Sequence, residues 1–179
     1  LLRVIVVLFA FGACGKTASA DDANALALAV KATFLYKFEP FITWPPQAFS
    51  SPGSPFNLCV VGDDPFGPML DRAISGQQTA GHAIAVLRLK TVSPDAHCQL
   101  LYVATADAVS AREAETAVAG MAVLTVTDSM EDGSAKGMIN FVVADNRVRF
   151  QIDDAAATQS GLTISSKLLS LAVSVRSSP

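Results

Sequence analysis

The stretch Met138–Val175, MINFVVADNRVRFQIDDAAATQSGLTISSKLLSLAVSV, constrains the fold more than any other part of the chain. Met138 to Val143 is a short apolar run. Arg147 to Ile152 alternates charged and apolar residues, the period of a half-buried strand. Ala-Asp-Asn lies between them, and that chemistry suits a tight hairpin turn. Asp153-Asp154 then opens an Ala-rich helical turn that Gly161 stops. Ser165-Ser166 caps a last helix carrying Leu168, Leu169, Leu171 and Ala172. A hairpin followed by short helices needs further strands to complete a sheet, so the preceding residues have to supply them.

With 179 residues the chain can bury one substantial core. Its apolar fraction of 51% stands against only 16% charged residues. Part of that imbalance belongs to the first twenty residues. Arg3 precedes an apolar run from Val4 to Ala13, and Ala18-Ser19-Ala20 forms an A-x-A site. This is the pattern of a signal peptide, 1–20, with the remaining domain at 21–179. The apolar run is about half of the roughly 20 residues that a spanning helix needs. An alternative reading takes Phe11-Gly12-Ala13-Cys14 as a loose lipoprotein box, with Cys14 acylated and the protein anchored to a membrane. Removing 1–20 takes away Arg3 and Lys16. The remainder has 11 basic against 16 acidic residues, a net charge of −5. An acidic chain without Lys/Arg clusters argues against nucleic acid and anionic membrane surfaces as partners. Beyond Cys14 there are two cysteines, Cys59 and Cys98. Two thiols in an exported chain point to one disulfide, the other reading being two buried free thiols.

Asp21 to Phe38 reads as a helix, with Leu26, Val30, Phe34 and Phe38 recurring at helical period. Pro40 is expected to end or kink it at Glu39. Phe56 to Val61, Ala83 to Leu89, Gln99 to Ala104 and Met121 to Val126 read as strands. Helices are expected from Pro65 to Ile74 and from Val109 to Ala119. Asp63 or Asp64 is placed to cap the former, with Pro65 in its first position. Metal binding is the competing reading of that Asp pair, but no third carboxylate follows at calcium-loop spacing. Ser129 to Gly137 is a polar loop. Strands alternating with helices, followed by a hairpin, give an α/β fold. The expected architecture is a single layered domain, a mixed sheet of mostly six strands flanked by helices.

Catalytic patterns are missing. His82 and His97 do not stand at metal-ligand spacing, and no G-x-S-x-G elbow occurs. Gly15-Lys16-Thr17 imitates the end of a P-loop, but position 10 is Ala, and the motif lies in the segment expected to be removed. The sequence therefore predicts a non-enzymatic binding protein that needs no cofactor and no metal.

Six stretches in order resemble the YfiR family of periplasmic proteins. They are Tyr36 to Pro45 (YKFEPFITWP), Leu58 to Gly67 (LCVVGDDPFG), His97 to Val103 (HCQLLYV), Leu124 to Asp128 (LTVTD), Gly137 to Asp153 (GMINFVVADNRVRFQID) and Gly161 to Ala172 (GLTISSKLLSLA). Two departures stand out. Asp153 occupies a position where the family usually has Asn, and Pro40 interrupts a helix end that is usually proline-free. The resemblance implies a repressor that binds the periplasmic sensor domain of an inner-membrane diguanylate cyclase, YfiN or a similar membrane sensor. Holding that enzyme off lowers cyclic di-GMP and biofilm formation. It also implies dimerisation, and a disulfide between Cys59 and Cys98. A second pair found in some members is missing, since Leu124 to Ile152 contains no Cys.

A repressor needs only a higher affinity for the inactive state of its partner. Phe150, Ile152, Leu162, Ile164, Leu168 and Leu169, on the hairpin and the last helices, are the candidate contacts. The competing reading packs them in the core. Arg147 and Arg149 flank the same strand and are candidates for a polar rim, or else belong to a solvated strand face. A different class of function remains beside this one: a periplasmic small-molecule binder, with Tyr36, Phe41 and Trp44 lining an apolar pocket.

Overall fold

The computed structural model describes residues 20–104, 108–128 and 136–177. The expected signal segment therefore lies outside the described residues except for Ala20, as do Cys14 and most of the Ser129–Gly137 loop. In chain order the elements are α1 (Ala20–Lys37), β1 (Ile42–Thr43), β2 (Phe56–Gly62), α2 (Pro68–Ile74), β3 (Gln78–Thr79), β4 (His82–Leu89), β5 (Leu100–Ala104), α3 (Ala108–Ala117), β6 (Leu124–Asp128), β7 (Ile139–Ala144), β8 (Arg147–Asp153), α4 (Asp154–Gln159), β9 (Thr163–Ile164), α5 (Ser166–Leu169) and β10 (Ser174–Arg176).

Among the described residues, eight strands form one mixed sheet in the order β10-β8-β7-β6-β5-β2-β4-β3. All six expected strands lie in it. β4, β2, β5, β6 and β7 run parallel to one another, β7–β8 is the antiparallel hairpin, and β3 is antiparallel to β4. The additional members are β3 and β10 at the two edges. β1 and β9 pair separately, with Ile42 opposite Ile164. These extra strands have only two or three residues each, too few for periodicity to register.

The sheet is packed on both faces. Phe56, Leu58, Val60, Leu100, Tyr102, Leu124, Val126, Ile139, Phe141, Phe150 and Ile152 cluster on one face with Leu35 and Phe38 of α1, Leu70 of α2 and Ala157 of α4. Cys59, Val61, Leu101 and Val103 cluster on the other with Ala111 and Ala114 of α3. The β2–α2–β4 and β5–α3–β6 crossovers thus put their helices on opposite faces, as parallel strands require.

Several boundaries differ from the expected ones for local reasons. α1 does not bury the stripe from Leu26 to Phe38. Ala32, Leu35 and Phe38 are buried, whereas Leu26 is 67% exposed and Val30 half-buried. Only the C-terminal half of the helix lies on the sheet, where Lys31 pairs with Asp128 at 2.8 Å. α2 begins at Pro68 rather than Pro65, and neither Asp63 nor Asp64 caps it. Its N-cap is Gly67 and makes no side-chain cap bond. Asp64 instead accepts from the Phe66 amide at 2.8 Å and pairs with Arg88 at 2.7 Å. β6 starts at Leu124, because Gly120, in the left-handed region at φ 73°, and Met121 are still in the turn after α3. Pro40 acts as expected: the helix stops at Lys37 and Glu39–Phe41 forms a 3-10 turn.

Candidate interaction surface

The hairpin turns on Asp145 and Asn146, both in the left-handed region at φ 51° and 57°. Those angles match the two-residue turn that Asp and Asn tolerate best. The register places Phe150 opposite Phe141 and Arg149 opposite Val142. Along β8, one set of side chains points into the aromatic cluster: Phe150 stands edge-on to Phe34 and Phe38, with centroids 5.6 and 5.3 Å away. The alternate set, Arg147 and Arg149, is exposed.

This alternation decides the fate of the predicted contacts. Phe150, Ile152, Leu162, Ile164 and Leu168 are buried, none more than 5% exposed. Leu169 is half-buried against the same core. As surface contacts, the five buried residues are corrected by the packing reading, since the hairpin and short helices spend these side chains closing one face of the sheet, while Leu169 stays partly exposed. Arg147 and Arg149 remain at the surface, with no ion-pair or hydrogen-bond partner among the described residues.

The exposed apolar residues at this end are others. Val143 (67%), Leu171 (56%), Val173 (43%) and Val175 (38%) are the prominent ones. Val143 sits beside the turn and pairs with Val148. The Val173 amide donates to the Phe150 carbonyl at 2.9 Å, which leads the chain into β10, parallel to β8. Sequence reasoning missed this edge because it extended the last helix through Ala172. The signal was present in the alternation of Leu171, Val173 and Val175.

Local anchors hold the edge in place. The Asp153 side chain accepts from the Ala156 amide at 3.0 Å, capping α4, and also pairs with Arg176 of β10. Gly161 ends α4 at φ 76°, and Ser165 caps α5 by accepting from the Leu168 amide.

Elsewhere several polar groups are tied to structure. Tyr102 donates to Asp128 at 2.7 Å, and burial pushes its hydroxyl far above the usual phenol range, so it stays a neutral donor. Burial also raises the Glu39 carboxyl, which accepts from Thr79. Hydrogen bonding to Arg88 holds exposed Asp71 below its usual value. Among the described residues no group of three or more His, Cys, Asp or Glu side chains is placed to hold a metal ion. No described helix is long and apolar enough to cross a membrane.

The three aromatic residues of the pocket reading have separate neighbours. Trp44 stands edge-on to Phe56 at 5.5 Å, Tyr36 lies under the Lys37 ammonium at 5.2 Å, and Phe41 packs against the core. Clefts of 320 and 250 Å³ lie elsewhere, the first lined by Gly62, Lys90 and Glu113, the second by Val30 and Phe34.

Cys59 and Cys98 are disulfide-bonded, with Cα atoms 5.8 Å apart. β2 and β5 are parallel neighbours, and Cys98 lies just before β5, so the adjacency that such a bridge requires is supplied by the sheet.

Sheet order and the bridge between β2 and the entrance of β5 define a mixed α/β protein built on one main sheet flanked by helices. The YfiR/HmsC-like family model matches residues 28–173, and the chain belongs to that family. The family is regulatory and periplasmic. No curated protein matches the chain significantly.

Proposed function

We propose that the protein is a periplasmic negative regulator. It binds the periplasmic sensor domain of an inner-membrane diguanylate cyclase and holds the cytoplasmic enzyme inactive, lowering cyclic di-GMP and biofilm formation. The observation that carries this reading is the family match across 28–173, which includes both bridged cysteines and the whole hairpin. In this reading 1–20 is removed on export, and 21–179 acts as one domain and as a homodimer.

The mechanism follows from linkage. A protein that binds the inactive state of the cyclase more tightly than the active state shifts the equilibrium by the difference in binding free energy. A coupling of about 1–3 kcal/mol changes the population ratio by roughly 5- to 150-fold. Arg147 and Arg149 supply polar contacts, and Leu169 contributes through its half-buried side chain.

The test is a clean deletion with measurement of cyclic di-GMP. Deletion raises the nucleotide, and expression of the exported protein restores it. Unchanged cyclic di-GMP in the deletion strain contradicts the reading.

A further inference from the structure

The two edges of the sheet are finished differently. β3 is two residues long. Thr79 in it is buried and bonded through its side chain to Glu39 in the turn after α1, while Gln78 is exposed. β10 has all three residues exposed and, among the described residues, no strand on its outer side. Proteins usually protect such an edge with charge, proline or a covering segment, because its free backbone groups invite another strand. Here Ser174-Val175-Arg176 contains no proline, and its one charged side chain is drawn onto Asp153.

The surroundings say what kind of segment fits. Val175 lies opposite Ile152, so it and Val173 extend the apolar face of the sheet to the edge as exposed side chains. Ser174 lies opposite Gln151. Arg149 and Arg147 precede Gln151 by two and four residues on the same strand, so they emerge on the other face, at the start of the exposed edge. Both are exposed and unpaired among the described residues. In a chain with more acidic than basic residues, the segment from 138 to 177 has four basic residues, Arg147, Arg149, Lys167 and Arg176, against the three acidic Asp145, Asp153 and Asp154.

We propose that β10 and the start of β8 form a docking strip for an extended acidic segment of the membrane partner. The segment adds to β10 as a further strand, lays apolar side chains on Val173 and Val175, and places carboxylates at Arg147 and Arg149. Main-chain hydrogen bonds supply affinity in this mode, and side chains on the two faces of the added strand supply selectivity. This rests on the regulatory reading and specifies its contact.

The test is photo-crosslinking in cells. A photoreactive residue replaces Val175 in one strain and Gln78, on the opposite edge, in another. Each is repeated with Arg147→Glu and Arg149→Glu together. The expected result is an adduct from position 175, but not from 78, with a segment of a membrane protein rich in Asp and Glu. The double substitution lowers its yield about tenfold or more, as loss of complementary charge does, without changing Tm. An adduct mainly from position 78, one between two copies of this chain, one with a segment lacking carboxylates, or one indifferent to the arginines overturns the proposal. So does no adduct at either position. The regulatory reading is scored separately, by whether deletion of the gene raises cyclic di-GMP in the same strain background.

Discussion

β2 and β8 are seven-residue strands of one sheet, yet they bury their residues differently. β2 lies between two parallel neighbours, with helices on both faces, and its central residues Leu58 to Val61 are all buried. β8 lies next to the edge and buries only Phe150 and Ile152, on one face. The first pattern serves stability alone, since no side chain of that segment is left to meet a partner. The second closes the core with one set of side chains and offers the other set, with the edge beyond it, to solvent. The interaction surface of this protein is therefore sought at the hairpin end, in the residues that the core does not use.

The sharpest way to break the comparison is to attack the cluster that joins both regions. Phe38 is fully buried and stacks with Phe34 and Phe141 at 5.7 and 5.9 Å. Phe38→Ala is expected to cost about 3–5 kcal/mol in denaturant unfolding. A cost below about 1 kcal/mol would show that the aromatic cluster is not shared core.

Next in size is the bridge in the parallel half. Cys59 and Cys98 are 39 residues apart in sequence, and the chain-entropy estimate for such a loop is about 4 kcal/mol. Replacing both by Ala should remove much of that, measured against oxidised protein. Because the bridge pins β2 to β5, hydrogen exchange should accelerate there more than in β8. Equal acceleration everywhere would mean that the two regions do not open separately.

The sequence made the parallel half easy to read. LCVV and LLYVA are continuous apolar runs, and such runs bounded by turn residues belong to strands buried on both faces. The hairpin was equally legible, because Asp145-Asn146 lies between an apolar and an alternating run. What pattern did not resolve was which apolar residues of the hairpin end face inward. Phe150 and Leu168 are apolar in either case, and only the packing of α1, α4 and α5 consigns them to the core. β10 was hidden because the helical reading of Leu168 to Ala172 ran over the alternation of Leu171, Val173 and Val175, and α2 was misplaced because Pro65 and Pro68 both suit a helix start. Of the residues named for contact, the charged pair was placed at the surface correctly by strand alternation.

At the edge itself the expected effects are smaller. Asp153→Ala removes the cap of α4 and the partner of Arg176, for a loss of about 1 kcal/mol. Amides of β10 should then exchange faster while those of β2 stay unchanged. A uniform change would show that Asp153 supports the whole fold rather than the edge.

The smallest effect is a pH dependence at the β3 edge. Burial raises the Glu39 carboxyl, so the fold favours its protonated form. Its contribution is fully present below the unfolded-state pKa and is lost as pH rises through the higher folded-state value. Glu39→Gln keeps an acceptor for Thr79 and removes the charge. It should raise Tm slightly at pH 7 relative to the parent protein, and the difference should vanish at pH 3. A lower Tm at pH 7 would show that the carboxylate is stabilising where it sits.

The claim that binding resides in the residues left over by the core is tested most directly in a strain lacking the gene. It is complemented with parent protein or with Arg147→Glu/Arg149→Glu, and cyclic di-GMP is measured. Surface changes of this kind should alter stability by no more than about 0.5 kcal/mol. The account predicts that the variant is exported and folded like the parent, yet leaves cyclic di-GMP at the level of the deletion strain. Restoration to the parent level by the variant would contradict it.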